Sequence, residues 1–398
     1  MIHHCDSHTV ALLANDKVVT QTTNPCSTIG WLDLAVDCSR IRTCAYSREL
    51  AVLMLDNRVL ITHKAKLPLI DITPIIKGLV GDASIRDIHL ASSALVFTAG
   101  HHLGAVCISR KAYKTKISAG THLVFEHEID LAVFDNSMLA LVRTVDNKLH
   151  LINSRSWANN KLHWPLREIA FHDTENISEM LYVGGYFTLL TCDGRVYVYN
   201  CHLDTGLAEP FEQLRIPTDE SVVKIVNSYG SVVYLTDRGN CYYMNLYWGE
   251  LYIRRPRSLQ ALQGLFVENV FWLDDCESVG IAQHDCKLTY FRLAVVADGE
   301  GHIPPCSERW ESYCSECSNT VVEMRHLPFF DNKCIVSVAS IPSVCTYFIT
   351  DEGHVYSAAS LDEGTVYERD PFFDANPIAV EKGSQHIRSA LSFTHTDV

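Results

Sequence analysis

Residues 186–199 read YFTLLTCDGRVYVY and contain the pattern that decides the fold. An apolar run is followed by a polar corner at Gly194 and then by a run of alternating valine and tyrosine. Two such runs around a short corner with Gly, Asn or Asp are typical of a β-hairpin, because these residues tolerate the positive φ of tight turns. The stretch therefore predicts one antiparallel hairpin.

The same pattern recurs along the whole chain. Its corner residues are Asp16, Asn57, His101, Asn147, Gly194, Gly239, Cys286 and Gly353. Subtracting successive positions gives spacings of 41, 44, 46, 47, 45, 47 and 67, so only the last departs from a period of about 45. Short strands repeated at this period are typical of a β-propeller. His101 and Cys286 fit the turn chemistry least well.

The repeat predicts an all-β fold, a single closed β-propeller over residues 1–398. Seven blades are favoured, although eight hairpin units are counted. The first hairpin, residues 9–20, shows no strand before it, so a segment near residues 387–393 is expected to complete the blade that the N-terminus begins. Closure of the ring would remove exposed strand edges. Proline-bearing connectors such as HWPLRE and AEPFEQLRIP are expected where strand pairing stops. One short helical turn is expected within GLVGDASIRDIHL.

Composition indicates a folded protein without a membrane span or a secretory signal. The hydrophobic fraction is 47% and the formal net charge is −14. No uncharged apolar run reaches the length of about 18 residues that a membrane helix needs. The acidic balance disfavours binding to nucleic acid. Without a signal, the 15 cysteines are expected to be free thiols. The predicted localisation is intracellular, in cytoplasm or nucleus.

Residues 180–199 and 225–244 resemble the repeat of the regulator of chromosome condensation (RCC1) family. The matching residues in the two stretches are Leu190, Thr191, Gly194, Val196, Tyr197 and Tyr199, and Ile225, Leu235, Thr236, Gly239 and Tyr242. Asn200 and Asn245 stand where that family has glycine. The resemblance implies a propeller that binds protein partners, with a small GTPase among them. A WD40-type propeller is the alternative, but no unit ends in a Trp-Asp pair.

The sequence contains no catalytic or cofactor signature. Phosphate-binding, dinucleotide-binding, serine-hydrolase and zincin motifs are all missing. We therefore expect no enzyme, no catalytic residues and no cofactor. A hydrolase or lyase site in a central channel would need carboxylates or histidines that cluster there.

The widest spacing predicts a Cys-rich insertion at about residues 293–334. Its thiols and imidazole are Cys306, Cys314, Cys317, His326 and Cys334. A C-x-x-C pair with one His and one Cys has the composition of a zinc site. A second C-x-x-C pair is lacking, so free thiols are the favoured interpretation. In the RCC1 family such an insertion acts as a wedge on a GTPase, but the wedge motif is not recognisable here.

Two basic clusters and one aromatic pair are further candidate contact sites. The clusters are Arg110, Lys111, Lys114 and Lys116, and Arg254, Arg255 and Arg257; the pair is Tyr247 and Trp248. Solvated connector loops are the favoured interpretation of the cations. The sequence as a whole predicts a non-catalytic protein-interaction scaffold. The alternative is guanine-nucleotide exchange on a Ran-type small GTPase, which requires only differential binding of the nucleotide-free GTPase.

Overall fold

The computed structural model describes most of the chain between residues 2 and 359. The described ranges are 2–6, 9–14, 17–22, 30–44, 49–54, 56–63, 66–91, 94–111, 114–134, 139–153, 157–158, 161–162, 166–183, 185–200, 211–216, 219–228, 231–245, 256–259, 262–272, 279–294, 320–341, 345–352 and 355–359. Two compact units are present. Unit 1 comprises residues 1–170 and 336–398, and unit 2 comprises residues 171–335.

Sheets one to four and sheet eight belong to unit 1. Each is an antiparallel meander in which strands that follow one another in the sheet also pair side by side. Sheets one and two share the long strand β4 (Gly30–Cys44). Sheet one also contains β1 (Ile2–Asp6), β2 (Thr9–Ala14) and β3 (Lys17–Thr22), and sheet two also contains β5 (Glu49–Met54), β6 (Val59–His63) and β7 (Lys66–Asp71). Sheet three contains β8 (Ile85–Leu90), β9 (Ala94–Ala99), β10 (His102–Lys111) and β11 (Lys114–Val124). Sheet four contains β12 (Ile129–Phe134), β13 (Leu139–Thr144), β14 (Leu149–Asn153) and β17 (Leu166–Ile169), and a separate pair is formed by β15 (Trp157–Ala158) and β16 (Lys161–Leu162). Sheet eight contains β30 (Ile335–Ile341), β31 (Cys345–Thr350) and β32 (Val355–Ala359).

Unit 2 contains sheets five, six and seven, each with four strands in chain order. Sheet five is β18 (Ile177–Val183), β19 (Tyr186–Thr191), β20 (Val196–Asn200) and β21 (Glu212–Gln213). Sheet six is β22 (Val222–Ser228), β23 (Ser231–Thr236), β24 (Cys241–Asn245) and β25 (Arg257–Ser258). Sheet seven is β26 (Val267–Trp272), β27 (Val279–His284), β28 (Lys287–Ala294) and β29 (Thr320–His326).

All eight predicted hairpins are confirmed, because each one joins the second and third strands of its own sheet. Successive four-stranded meanders of this kind are the blades of a β-propeller, so the predicted all-β fold class is correct. The number of blades and the closure of a ring stay predictions. The first hairpin does have a strand before it, since β1 pairs with β2 from Ile2 opposite Leu12. That part of the closure argument is wrong, and residues 387–393 lie outside the described part of the chain.

Five of the predicted corner residues have the backbone conformation expected of a tight turn, and Asp16 and Gly353 lie outside the described residues. Positive φ values occur at Asn57, Asn147, Gly194, Gly239 and Cys286. At the third corner the positive φ falls on Gly100 instead of His101, one residue earlier. Cys286 fits because Asp285 also has positive φ and the two form a two-residue loop, the pattern of a type I′ turn. Register therefore explains the poor fit of His101, which lies one residue after the true corner, and turn type explains the poor fit of Cys286.

The connectors contain more structure than the sequence indicated. Those at HWPLRE and AEPFEQLRIP contain the short outer strands β17 and β21, whose residues pair with the third strands of their sheets. Short strands beside prolines are a common form for a sheet edge. The helix α1 (Thr73–Val80) begins earlier than the predicted turn, with proline in its first turn. No helix among the described residues is long and apolar enough to cross a membrane.

The predicted insertion is shorter than residues 293–334. Strand β28 continues to Ala294, and residues 320–326 form β29, which pairs with β28 from Thr289 opposite His326. Pro328–Phe330 then form a short 3-10 turn that leads to β30. Residues 295–319, which include Cys306, Cys314 and Cys317, lie outside the described residues.

Two of the cores contain a cross-strand pair of glycine and phenylalanine. Gly104 lies opposite Phe97 in sheet three, and Gly280 lies opposite Phe291 in sheet seven. Both phenylalanines are fully buried. A Cβ added to Gly280 would lie 2.3 Å from Cζ of Phe291, so the ring occupies the space that a side chain at Gly280 would need. An aromatic ring that covers a strand glycine removes its backbone from water.

Replacing Tyr234 with Phe is expected to stabilise unit 2 by about 1–2 kcal/mol. Tyr234 is fully buried, and its hydroxyl has no hydrogen-bond partner among the described residues. Burial raises the pKa of this phenol far above its ordinary value. Tyr197→Phe is the matched control, because the buried Tyr197 hydroxyl accepts a hydrogen bond from Arg195 at 3.1 Å. Urea unfolding should show opposite signs for the two variants, and a loss of stability in Tyr234→Phe would contradict the assignment.

Unit 1 is expected to lose stability as the pH falls below about 6.5. Burial lowers the pKa of His102 and of His150, and the Nδ1 atom of each is buried without a partner among the described residues. The ring centroids of His122 and His102 are 5.4 Å apart, and those of Phe125 and His150 are 5.2 Å apart. Because these pKa values lie below those of the unfolded chain, acid protonates the unfolded state first. The loss of stability begins near pH 6.5, grows as the pH falls through the lowered pKa values, and does not occur above pH 6.5.

The measurement is the urea midpoint at about pH 7.5 and about pH 5 for the protein and for His102→Gln/His150→Gln. The double variant should have the smaller difference between the two midpoints. Equal differences would mean that other groups dominate the acid response.

Candidate interaction rim

The turns at one end of sheets five to seven form a continuous surface, which we call the corner rim. It comprises residues 172–176, 192–195, 219–221, 237–240, 265–266, 285–286 and 331–334. Backbone hydrogen bonds connect each corner to the segment that enters the next sheet. Val222 donates to the Gly194 carbonyl at 3.0 Å, Val267 to the Gly239 carbonyl at 3.0 Å, and Asn332 to the Cys286 carbonyl at 2.8 Å. The same bond at each step holds the entering segment against the preceding corner.

Glycine is required at Gly194 because the next segment passes directly over it. Its φ is +81°, and an added Cβ would lie 2.5 Å from Cβ of Ser221 and 2.8 Å from the amide nitrogen of Val222. The same holds at Gly239, where φ is +73° and a Cβ would lie 2.7 Å from the nitrogen of Val267. Positive φ and a close backbone approach both exclude side chains.

The corner of sheet five is held by charged hydrogen bonds. Thr191 Oγ1 donates to Asp193 Oδ1 at 2.5 Å and accepts from the Arg195 amide at 3.0 Å. The Arg195 guanidinium contacts Asp193 at 2.6 Å and Asp173 at 3.0 Å. The hydrogen bond from Arg195, with that from Thr191, lowers the pKa of Asp193 to about 2. The corner therefore keeps its shape and its charge throughout the physiological pH range.

The corner of sheet six uses a related arrangement. Thr236 Oγ1 donates to Glu220 Oε2 at 2.7 Å, and the Asn240 side-chain amide donates to Glu220 Oε1 at 2.7 Å. Glu220 lies in the segment that enters the sheet, so a carboxylate fixes the entering segment to the corner. The position of the acid differs from sheet five, but the threonine at the end of the second strand is shared.

Each first strand from sheet two to sheet seven contains a register shift of the kind that a β-bulge produces. The register shifts fall at Cys38/Arg40, Ile85/Asp87, Ile129/Leu131, Ile177/Glu179, Val222/Lys224 and Val267/Asn269. In unit 2 the residues within these shifts are Ser178, Val223 and Glu268, and all three are exposed. Bulges commonly redirect a side chain at a binding surface.

The residue after each bulge in unit 2 is polar, and these residues form a ladder. Lys224 Nζ donates to Asn269 Oδ1 and lies 5.1 Å from the centroid of the Phe271 ring. Asn269 Nδ2 donates to the Ile335 carbonyl at 3.5 Å. Burial raises the pKa of Glu179 and lowers the pKa of Lys224. The ladder therefore contains one carboxyl group, one ammonium group and one amide.

Among the described residues, two large exposed apolar side chains lie at this end of unit 2. Phe266 is 57% exposed and Val223 is 56% exposed. Phe266 lies directly beside the Gly239 corner, since a Cβ on that glycine would be 2.9 Å from Cδ2 of Phe266. Acidic side chains outnumber basic ones on the corner rim: Asp173, Glu175, Asp193, Asp219, Glu220, Asp237, Asp285 and Asp331 against Arg195, Arg238 and Lys333.

The structure describes two of the five residues considered as zinc ligands, His326 and Cys334. His326 Nε2 lies 2.6 Å from Asp331 Oδ1, and Cys334 is an exposed free thiol. The described residues contain no group of three or more metal-ligating side chains. The three remaining cysteines lie outside the described part of the chain, so the zinc alternative stays untested.

The basic clusters and the aromatic pair are placed only in part. Residues 110, 111, 114 and 116 lie at the far end of the hairpin formed by β10 and β11, where Lys111 pairs with Lys114. They belong to strands and not to a connector loop. Arg257 lies in β25. Arg254, Arg255, Tyr247 and Trp248 lie outside the described residues.

Sequence reasoning missed the corner rim, the bulges and the ladder. The available signal was the recurrence of an apolar residue, a variable residue and a polar residue where each first strand begins: ISE at 177–179, VVK at 222–224 and VEN at 267–269. Its spacing of 45 between the polar residues equals the period of the hairpins.

Comparison with known proteins gives a likeness of fold without a family. No family model matches the chain, and no curated protein matches it in sequence. Among solved structures it is similar to Hsv2 of Kluyveromyces lactis, with 12% identity over 74% of this chain and 93% of that one and a TM-score of 0.48. It is also similar to human WBSCR16, with 12% identity, coverage of 68% and 84%, and a TM-score of 0.45. Prp20p of Saccharomyces cerevisiae, whose binding to Gsp1p and histones has been examined, has 8% identity, coverage of 65% and 72%, and a TM-score of 0.42. These likenesses are distant, and the eight meanders themselves establish the β-propeller class of this chain.

Proposed function

We propose that the protein is a non-catalytic protein-interaction scaffold that binds its partner at the corner rim of unit 2. The repeated backbone hydrogen bond between each corner and the next entering segment is the observation that carries this proposal. Loops fixed in this way lose little conformational entropy on binding, so a shallow surface can reach useful affinity. The rim also presents exposed charged and aromatic side chains on that fixed backbone.

The ladder supports a non-catalytic function. Its ammonium is occupied by Asn269 and the Phe271 ring, and its carboxyl group has no second acid in the ladder. Glu179 and Lys224 also attract each other, which lowers the pKa of Glu179 and raises the pKa of Lys224 against the larger effect of burial. We assign the ladder to cohesion between neighbouring first strands.

The test is affinity capture of the full chain from its own cells, followed by mass spectrometry. Two variants are compared, a deletion of residues 296–318 and the substitution Phe266→Ser. The deletion leaves β28 and β29 intact. A stable set of proteins that survives the deletion and is depleted by Phe266→Ser supports the scaffold. Failure to capture any protein, or equal capture by Phe266→Ser, would contradict it.

Guanine-nucleotide exchange remains the second candidate because the strand–corner–strand elements at 186–200 and 231–245 carry the residues that resemble the RCC1 repeat. A Ran-type small GTPase captured only after its nucleotide is stripped, and lost with residues 296–318, would favour exchange. Indifference to nucleotide would favour the scaffold.

A further inference from the structure

We infer that Phe266 and Val223 form the apolar centre of a docking site for a Lys- or Arg-rich segment of a partner protein. This inference rests on the proposed function and names the class of partner. An exposed apolar patch that is rimmed by polar side chains commonly marks an interaction site. Both residues stand at the same end of adjacent sheets, one before β26 and the other on the bulge of β22.

The backbone around Phe266 is already ordered. Val267 donates to the Gly239 carbonyl at 3.0 Å, and Leu265 donates to the Leu262 carbonyl at 3.1 Å. The residues directly before and after Phe266 are therefore both held by backbone hydrogen bonds. A partner that covers its ring gains apolar burial without having to order the loop that carries it.

The charges around this centre define the partner. Asp237 adjoins the Gly239 corner, Asp219 and Glu220 precede β22, and Glu268 follows Phe266 by two residues. The basic side chains near them are Arg238, which is exposed, and Lys224, which follows Val223 and donates a hydrogen bond to Asn269. Asp219, Asp237 and Glu268 are exposed, so they attract cations through solvent over about a Debye length. Nucleic acid and acidic peptides are repelled by the same field, whereas a basic segment with one apolar side chain satisfies both the charges and the exposed ring.

The test uses the full chain and a fluorescein-labelled Lys-rich peptide that carries one Leu, with a matched peptide in which Glu replaces every Lys. Anisotropy should show binding of the Lys-rich peptide alone, and the affinity should fall as salt is raised. Phe266→Ser should weaken binding at least about tenfold, as expected for an aromatic anchor. Glu268→Lys should weaken binding and reduce its dependence on salt.

Two matched variants separate the site from general effects. Met324→Ser removes another apolar side chain of unit 2 that is 47% exposed, and Glu212→Lys reverses an exposed charge on the outer strand β21. Both should bind the peptide within about twofold of the unchanged protein. Far-ultraviolet circular dichroism confirms that each variant is folded.

Several results would overturn this inference. They are equal binding of the Glu-rich peptide, equal weakening by Met324→Ser and Phe266→Ser, no binding of the Lys-rich peptide, or self-association that Phe266→Ser abolishes. The last would assign the centre to a second copy of the chain. If partners are captured equally by the protein and by Phe266→Ser, and they contain no basic segment, this inference is wrong and the scaffold function belongs to another surface. Failure of all capture would sink the proposed function itself.

Discussion

Replacing Gly194 with Ala is expected to lower the free energy of unfolding of unit 2 by about 2–5 kcal/mol. Two effects add. An L-residue at a φ of +81° is destabilised by about 1–2 kcal/mol, and the new Cβ also meets the backbone of Ser221 and Val222 within 3 Å. The segment that enters sheet six must then move, which breaks the bond from Val222 to the Gly194 carbonyl.

Gly264→Ala is the matched control. Its φ is +86°, close to that of Gly194, but an added Cβ would meet no atom within 4 Å. It should show only the backbone penalty of about 1–2 kcal/mol. Urea unfolding of both variants, followed by tryptophan fluorescence, gives the difference. Equal losses would show that no close contact exists between the corner of sheet five and the segment entering sheet six.

The second large effect is expected at the pair of Gly280 and Phe291. Phe291→Ala should lower the free energy of unfolding by about 3–5 kcal/mol, because it empties a fully buried site beside Trp272. Gly280→Ala should lower it by about 1–3 kcal/mol, because the new methyl group collides with the ring of Phe291.

The double variant Gly280→Ala/Phe291→Ala distinguishes this account from simple additivity. Once the ring is gone, Ala at 280 meets no clash and has less conformational entropy to lose than Gly, so it should be neutral or stabilising by up to about 1 kcal/mol in that background. The change of sign in a double-mutant cycle measures the contact directly. Additive losses would mean that the ring does not occupy the space above Gly280.

The hairpins could be predicted from the sequence because their chemistry is local. Gly194, Gly239, Asn57 and Asn147 supply the positive φ of a turn between apolar runs, and such a pattern depends on a few neighbouring residues. The pattern places the third corner near His101, whereas the positive φ belongs to Gly100, one residue earlier. Boundaries of this kind depend on register, which a single sequence specifies less strongly than it specifies the existence of a turn.

The outer strands and the corner rim could not be predicted, because their formation depends on contacts between distant residues. Glu212–Gln213 and Arg257–Ser258 pair only because β20 and β24 present free edges to them. Lys224 and Asn269 are 45 positions apart in the sequence, so their contact is not visible in either neighbourhood alone. From its local sequence, each would be expected to be an ordinary solvated strand residue. Phe266 reads as a core residue by its type, and only the structure shows that it is exposed.

The central claim is that the corner rim of unit 2 is the binding surface. Hydrogen–deuterium exchange of the full chain, alone and with its captured partner, tests it most directly. We expect the partner to slow exchange in peptides covering residues 192–195, 219–223, 237–240 and 265–268, with exchange unchanged in the parts of unit 2 that lie outside the corner rim. Protection confined to residues 295–319, with the corner rim exchanging as in the free protein, would contradict it.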